Sequence, residues 1–404
     1  MMHKLKVPAI ITIILATSFF IGKKIFKYYS HTEKPQIFIK NFKNGDTYKD
    51  TATWAISANN DYKIDTVSMQ LDGQPFDFGA SQKVRAQSFE IPLTLDTTTM
   101  TSGKHTLDIT SIDASAHKNT SNDHYEFFVD NAPLKAAFLQ TSYKVDQGKT
   151  MHVKIQANKQ LQKATLSFFT KNYECAPEST TSTVYECFIP VDCEDSTGES
   201  MITAQLEDAV HNSVTLNAQG QIVKFPFKKQ ASPLNVSTKK LDEEKEISMN
   251  SKILKTAIAK WVESSPKQKL WAGAFEYPTE YTRIATPHGE IRITPERGMY
   301  YHHGIDLVNH PKQVIWASQT GKVIIKDRFL LTGNTIVLDH GLGVCSLYAH
   351  LNDFADIEVG DMVKKGNSVG TIGMTGYATG YHLHWEIIVN NISVDPIEWT
   401  QTVY

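Results

Sequence analysis

Three short pieces near the C-terminal end of the chain concentrate side chains that bind metals or move protons. They are residues 301–306 (YHHGID), 348–351 (YAHL) and 382–386 (HLHWE). Imidazole and carboxylate groups are good ligands for Zn²⁺, and a catalytic zinc site takes three protein ligands and keeps a fourth position open. Together the three pieces contain enough ligands for one such site.

The third piece belongs to a run typical of a strand, HLHWEIIV. Side chains two apart on a strand point to the same face, so His382 and His384 can reach one ion or one substrate. An H-x-H pair is a weak indication alone, because many such pairs are exposed strand residues. In combination, His302, Asp306 and one histidine of the HLH piece form a three-ligand set. The other histidine and His350 are then free for proton transfer, which metal-assisted hydrolysis requires.

The order H-x-x-x-D, Y-x-H-L, H-x-H resembles that of the lysostaphin/LytM-type zinc endopeptidases, which act on bacterial peptidoglycan. The surrounding runs HHGIDL, GNTIVLDHG, LYAHL, VKKG and IGMTGYATGYHLHWE are similar as well. The resemblance covers roughly residues 283–397 and implies nothing firm about the rest of the chain.

The resemblance implies a role for each of five residues. His302, Asp306 and His384 are expected to bind one Zn²⁺ per catalytic domain. His350 and His382 are expected to be catalytic without binding the metal, activating the water and stabilising charge on the tetrahedral intermediate. All five positions carry the residue type that the family pattern requires.

The function implied by the resemblance is hydrolysis of peptide cross-links or stem peptides of peptidoglycan by a metal-activated water. Family members cut glycyl-glycine bridges or D,D-cross-links, and the choice stays open here. One alternative is a catalytically silent wall-binding module that activates another hydrolase. A second alternative is a structural adhesin that functions through its N-terminal domains.

Other histidines nearby are given structural interpretations. The spacing to Asp306 selects His302 over His303 as a ligand. His340 lies in a hairpin loop and is expected to face solvent, and His288 and His310 are expected at the surface.

The sequence suggests roles for several further residues around the motifs. Glu386 either accepts a hydrogen bond from a ligand imidazole or is a charged residue at the rim. The glycines from Gly370 to Gly380 do not open a helix, so they favour close approach of an extended peptide over a phosphate site. Arg283 and Arg292 are candidates for binding a wall-peptide carboxylate, on their position alone.

The elements around these motifs predict a mainly antiparallel β metallopeptidase domain over residues 267–404. Short apolar runs separated by turn signals mark its strands. Residues 230–266 are expected to form a polar linker and a short helix over 251–263. The helix carries one apolar stripe, expected to dock on a neighbouring domain or, alternatively, to occlude the site.

Residues 34–130 and 131–229 are predicted to be two tandem immunoglobulin-like β-sandwiches. Short alternating runs separated by turns are typical of that fold. A weak internal repeat supports the tandem arrangement, since GKHTLDITSID from Gly103 resembles GESMITAQLED from Gly198. We expect a spacer or binding role for both domains.

Composition excludes one class of partner. The net charge is -2, and the basic stripe typical of nucleic-acid binding is missing from the sequence, so nucleic acid is not expected as a partner. No CxxC occurs, which disfavours a thiolate zinc site. Cys175 is expected either to pair with Cys187 or Cys193 in a disulfide or to be a free thiol, and Cys345 is expected in the core.

The N-terminal segment, residues 1–33, is predicted to be a signal anchor. Residues 7–22 are uncharged and have lysines on both flanks. This pattern predicts a single-pass protein of the cytoplasmic membrane, with its bulk in the periplasm or outside the cell and the membrane as a partner. A cleaved signal peptide is the alternative.

Overall fold

The computed structural model describes residues 7–76, 84–230, 252–294 and 298–404. They form a mainly β structure, as predicted, in two compact units, Met1–Pro133 and Leu134–Tyr404. The candidate chemistry lies in the second unit.

The first unit contains a helix and a two-sheet sandwich. Its sheets have the strand orders β1-β3-β6 and β2-β8-β7-β4-β5, and one apolar core, which includes Trp54 and Phe127, joins them. The elements are α1 (Val7–Ser30), β1 (Gln36–Lys40), β2 (Thr47–Tyr48), β3 (Thr51–Asn59), β4 (Ile64–Leu71), β5 (Gln74–Pro75), β6 (Ser88–Asp96), β7 (Gly103–Asp113) and β8 (Thr120–Val129).

The predicted membrane anchor and the location derived from it are wrong. Across the described parts of the chain, none of the helices combines the length and the apolar character that a membrane crossing requires. The uncharged residues 7–22 fall short of the roughly 20 residues that span a bilayer, and α1 continues past them through Lys23, Lys24 and Lys27.

The second unit begins with another two-sheet sandwich. Its sheets have the orders β14-β15-β11-β9 and β10-β17-β16-β12-β13. The strands are β9 (Ala136–Phe138), β10 (Ser142–Asp146), β11 (Thr150–Ala157), β12 (Leu161–Phe168), β13 (Lys171–Glu174), β14 (Ala176–Pro177), β15 (Val184–Pro190), β16 (Gly198–Asp208) and β17 (Ser213–Val223).

The two halves of the sequence repeat are equivalent strands. β7 and β16 each lie at the centre of a five-stranded sheet, and each pairs antiparallel with the next strand in the chain. Each ends in a buried aspartate, Asp113 or Asp208, that accepts a hydrogen bond from a nearby asparagine amide. The repeat therefore marks two related sandwiches, and their immunoglobulin-like character stays a prediction.

The C-terminal domain is built on a ten-stranded sheet with the central order β18-β21-β28-β25-β24-β23-β26 and a separate hairpin, β19-β20. Its elements are a helix, α2 (252–263), and β18 (Arg283–Thr286), β19 (Ile291–Thr294), β20 (Gly298–Tyr301), β21 (Ile305–Val308), β22 (Val314–Trp316), β23 (Gly321–Phe329), β24 (Gly333–Asp339), β25 (Val344–Phe354), β26 (Met362–Val363), β27 (Ser368–Ile372), β28 (Leu383–Val389), β29 (Ile392–Val394) and α3 (Pro396–Gln401).

Helix α2 covers part of one face of this sheet. The apolar stripe predicted from the sequence docks there, with Leu254 and Ile258 packed among side chains that include Leu347 and Ile388. Because side chains alternate along β28, His384 projects to the same face as Ile388. The helix therefore covers the end of this face that carries Ile388, and the end that carries His384 belongs to the candidate site.

The second sandwich and the C-terminal domain share a core. The ring centroid of Phe188 in β15 lies 5.9 Å from those of both Trp271 and Trp399. The indole nitrogen of the buried Trp399 donates to the Thr150 hydroxyl at 3.1 Å. These contacts explain why residues 134–404 form one compact unit.

All four cysteines carry free thiols in the structure. Cys345 is fully buried in the sheet core, as expected. Cys187 is also buried, its thiol donates to the Glu174 carbonyl at 3.6 Å, and the neighbouring Cys175 together with burial raises the pKa of the Cys187 thiol. The free-thiol alternative is therefore the one that the structure shows.

Candidate metal centre

Neighbouring strands bring the three sequence pieces together. Asp306 on β21 lies directly opposite His384 on β28, and Ala349 on β25 lies opposite His384 from the other side. His302 immediately follows β20, and His350 follows Ala349. The cluster thus depends on pairing between strands that are far apart in sequence.

Three side-chain atoms converge at the centre of this cluster. His302 Nε2 lies 3.0 Å from His384 Nδ1 and 3.1 Å from Asp306 Oδ1, and His384 Nδ1 lies 3.0 Å from Asp306 Oδ1. In a tetrahedral zinc site with bonds of 2.0–2.1 Å, ligand atoms are about 3.3 Å apart. Two imidazole nitrogens and a carboxylate oxygen at this spacing therefore fit a zinc ion.

Hydrogen bonds on the outer side of each imidazole fix its tautomer. Nδ1–H of His302 donates to the Pro287 carbonyl at 3.2 Å, and Nε2–H of His384 donates to Glu386 Oε1 at 2.8 Å. Since carbonyl and carboxylate oxygens only accept, the inward-facing nitrogen is the one that carries the lone pair for a metal when each ring is neutral.

The charges of the cluster support the same arrangement. Burial would raise the pKa of Asp306, but hydrogen bonds and charges from His302 and His384 hold it well below its usual value. Burial also opposes the charged form of His384, yet its bonds to Asp306 and Glu386 raise its pKa to about 9. The two carboxylates thus favour a positive charge on the His384 ring, and Zn²⁺ bound at Nδ1 would take the place of the proton there.

His350 and His382 lie beside the cluster with their rings 4.7 Å apart. Nδ1–H of His350 donates to the Thr375 carbonyl at 2.7 Å, and Nδ1–H of His382 donates to the Gly380 carbonyl at 2.8 Å. In both rings Nε2 is left with a lone pair that can take up a proton. Burial, with the neighbouring His382 and His384, lowers the pKa of His350 to about 3.

The backbone at His350 is in a left-handed conformation, with φ of 61°. Residues other than glycine rarely adopt it, and such strain is concentrated at functional sites. Two of the glycines identified in the sequence hold the neighbouring loop against this point. A Cβ on Gly373 would lie 2.3 Å from Asn352 N, and one on Gly376 would lie 2.3 Å from Gly333 N. These two glycines therefore serve packing within the protein, whereas we expected them to admit a substrate.

Two further residues hold the cluster from outside. Glu386 also accepts a hydrogen bond from the Ser393 hydroxyl at 2.8 Å. Burial would raise the pKa of Glu386, but the hydrogen bond and charge of His384 lower it to about 2. Arg292 Nη2 donates to the Thr286 hydroxyl at 2.6 Å and to Asp306 Oδ2 at 3.4 Å. Its contact with a candidate ligand was not foreseen from the sequence.

Two histidines that were expected at the surface, His340 and His288, are buried instead. His340 is fully buried, because its two ring nitrogens bond to the Thr320 carbonyl at 2.7 Å and the Ser346 hydroxyl at 2.8 Å. His288 is also buried, with Nδ1 bonded to the His303 carbonyl at 3.0 Å. His310 is exposed, as expected.

The cluster opens into a groove of about 640 Å³, within the usual size range for ligand clefts. Both arginines considered in the sequence, Arg283 and Arg292, line it. The other lining residues that surround the five candidate site residues include Gln230, Thr286, Glu290, Tyr300, Tyr301, Leu331, Thr332, Tyr377, Ala378, Thr379, Gly380, Tyr381 and Glu386. Polar and aromatic side chains thus line the groove. No residue of α2 in the described part of the chain is among them.

Comparison with known proteins confirms the resemblance of the C-terminal domain. Residues 300–396 match the family described as Peptidase family M23. The DD-carboxypeptidase/endopeptidase Mpg of Neisseria meningitidis serogroup B is 37% identical over 121 residues, which cover 30% of this chain and 27% of that protein. The peptidoglycan DD-endopeptidase ShyC of Vibrio cholerae serotype O1 is 32% identical over 120 residues, 30% of this chain and 28% of that protein.

Among solved structures, the catalytic domain of the antimicrobial peptidase lysostaphin from Staphylococcus simulans is similar. It is 26% identical and has a TM-score of 0.24, with 36% of this chain and 98% of that domain covered. The chain spans little more than a quarter of the length of the two relatives named above.

Proposed function

We propose that the chain is a zinc-dependent endopeptidase that hydrolyses peptide cross-links in bacterial peptidoglycan. The observation that carries the proposal is the convergence of His302, Asp306 and His384 in a groove that also holds His350 and His382. The match to a peptidase family supports the reaction type. The names of the two relatives, a DD-carboxypeptidase/endopeptidase and a peptidoglycan DD-endopeptidase, favour a D,D-cross-link as the substrate.

The proposed roles of the five residues rest on which side-chain atom each one presents. His302, Asp306 and His384 are proposed to hold Zn²⁺, a Lewis acid that makes water nucleophilic near neutral pH. His350 and His382 line the groove, and the bond from each Nδ1–H to a backbone carbonyl leaves Nε2 as the basic nitrogen. We propose that they take the proton from the attacking water and deliver it to the amine that leaves.

The test uses purified cross-linked peptidoglycan. The full chain should convert cross-linked stem-peptide dimers to monomers, identified by mass spectrometry. A chelator should abolish the conversion and added Zn²⁺ should restore it. If the chain leaves the dimers intact but accelerates a separate wall hydrolase, the wall-binding alternative replaces the enzyme.

A prediction for Glu386 follows from its bond to His384. The variant Glu386→Ala should bind zinc about 10- to 100-fold more weakly, the usual effect of removing a group that orients a ligand imidazole. Competition with a chromogenic chelator measures the affinity. Glu358→Ala, which removes an exposed carboxylate of the same domain, is the control. Equal affinities for the two variants would mean that Glu386 is only a charged residue at the rim.

A further inference from the structure

A segment that leaves the second sandwich forms part of the groove wall. We name residues 225–230 the strap. Ile291 N–H donates to the Lys228 carbonyl at 2.8 Å, and Gln230 N–H donates to the Ile291 carbonyl at 2.9 Å. The strap thus runs parallel to β19, with Lys229 paired to Ile291, and adds a third strand to the hairpin that leads into His302.

An aromatic anchor fixes the strap in this position. The Phe227 ring meets the Tyr301 ring edge-on, with centroids 5.5 Å apart. It also lies over Gly289, where a Cβ would come within 2.1 Å of the ring and where φ is +73°. Gly289 N–H donates to the His302 carbonyl at 2.8 Å. The strap therefore packs directly on the backbone that holds a candidate ligand.

The pairing places the Gln230 side chain beside Arg292. Because Lys229 lies opposite Ile291 in parallel register, the next residues along each segment, Gln230 and Arg292, project to the same face. Arg292 reaches Asp306 on that face. Gln230 lines the groove together with the candidate ligands.

The side-chain oxygen of Gln230 is an unused acceptor. It is buried and, within the described part of the chain, accepts no hydrogen bond. Buried polar atoms without a partner are uncommon in folded proteins, since each loses its hydration without compensation. An acceptor of this kind on a groove wall is suited to a donor that arrives with a ligand.

We propose that Gln230 is a substrate-binding residue, whose Oε1 accepts a hydrogen bond from a main-chain N–H of the wall peptide. This inference rests on the proposed function. A peptide laid along the groove presents an N–H at each residue, and a carboxamide accepts from it without adding charge beside the metal ligands. Substrate recognition then extends beyond the residues 300–396 that match the peptidase family, to a segment contributed by the chain before it.

The test compares Gln230→Met with the wild type in the full chain. Methionine keeps the length and unbranched shape of glutamine but removes the strong acceptor. With a purified D,D-cross-linked stem-peptide dimer as substrate, KM should rise about tenfold, while kcat, zinc content and Tm stay unchanged. A contact made equally in the ground and transition states has this signature. Gln205→Met, which changes an exposed glutamine on β16, is the matched control and should keep the wild-type KM.

Two results would overturn the inference while leaving the proposed function intact. The first is an unchanged KM in Gln230→Met. The second is a loss of zinc and kcat at constant KM, which would show that Gln230 only supports the hairpin. Failure of the wild type to cut the dimer would instead contradict the proposed function itself.

Discussion

Replacing His302, Asp306 or His384 with alanine should remove both bound zinc and peptidase activity. Within the described residues, these three are the candidate ligands whose facing atoms lie within about 3 Å of one another. With two left, the chelate that holds the ion is lost, and activity should fall to background. Zinc per chain, measured by elemental analysis after dialysis, and the rate of dimer cleavage are the two readouts.

The control for this series is His310→Ala, which removes an exposed imidazole of the same domain. It should keep one zinc and the wild-type rate. Addition of Zn²⁺ should reactivate the chelator-treated wild type but not Asp306→Ala. Circular dichroism is needed for His384→Ala, because that change leaves the buried Glu386 without its imidazole partner. Retention of zinc and rate by all three ligand variants would disprove the assignment.

The sequence was sufficient for the local part of the site. The spacing of His302 and Asp306, and the H-x-H pair at 382 and 384, can be recognised without a fold because each lies within a few residues. Their convergence depends on the pairing of β21 with β28, which places Asp306 opposite His384, and of β28 with β25, which places Ala349 opposite His384. The family resemblance implied that these residues act together, whereas no local pattern predicts the strand pairing that brings them into contact.

Contacts between distant segments explain what the sequence did not predict. His340 was expected in solvent, yet partners from two other positions satisfy both of its ring nitrogens and allow its burial. Gln230 was assigned to the start of a polar linker, and the composition of that linker gave no indication that Gln230 lines the groove. Gly373 and Gly376 signalled close backbone approach correctly, but only the fold shows that the approaching backbone is the protein's own.

Removing His350 or His382 should leave zinc in place and still slow the reaction by about two to four powers of ten, the usual range for acid–base assistance. Both rings donate Nδ1–H to backbone carbonyls, so Nε2 is the basic nitrogen of each, and His382 Nε2 lies 3.7 Å from Asp306 Oδ1. Neither ring belongs to the three-residue cluster that could hold a metal. Comparison of these variants with the ligand variants therefore separates metal binding from proton transfer.

The backbone conformation at each position decides which substitution is suitable there. His350 has a φ of 61°, and asparagine tolerates this conformation better than most residues, so His350→Asn is the suitable variant there. His382→Ala is suitable at the other position. Each should retain about one zinc per chain and the wild-type Tm while kcat falls. If His382→Ala loses zinc and His384→Ala keeps it, the two histidines have exchanged roles. If both His350→Asn and His382→Ala keep the full rate, proton transfer does not pass through either ring.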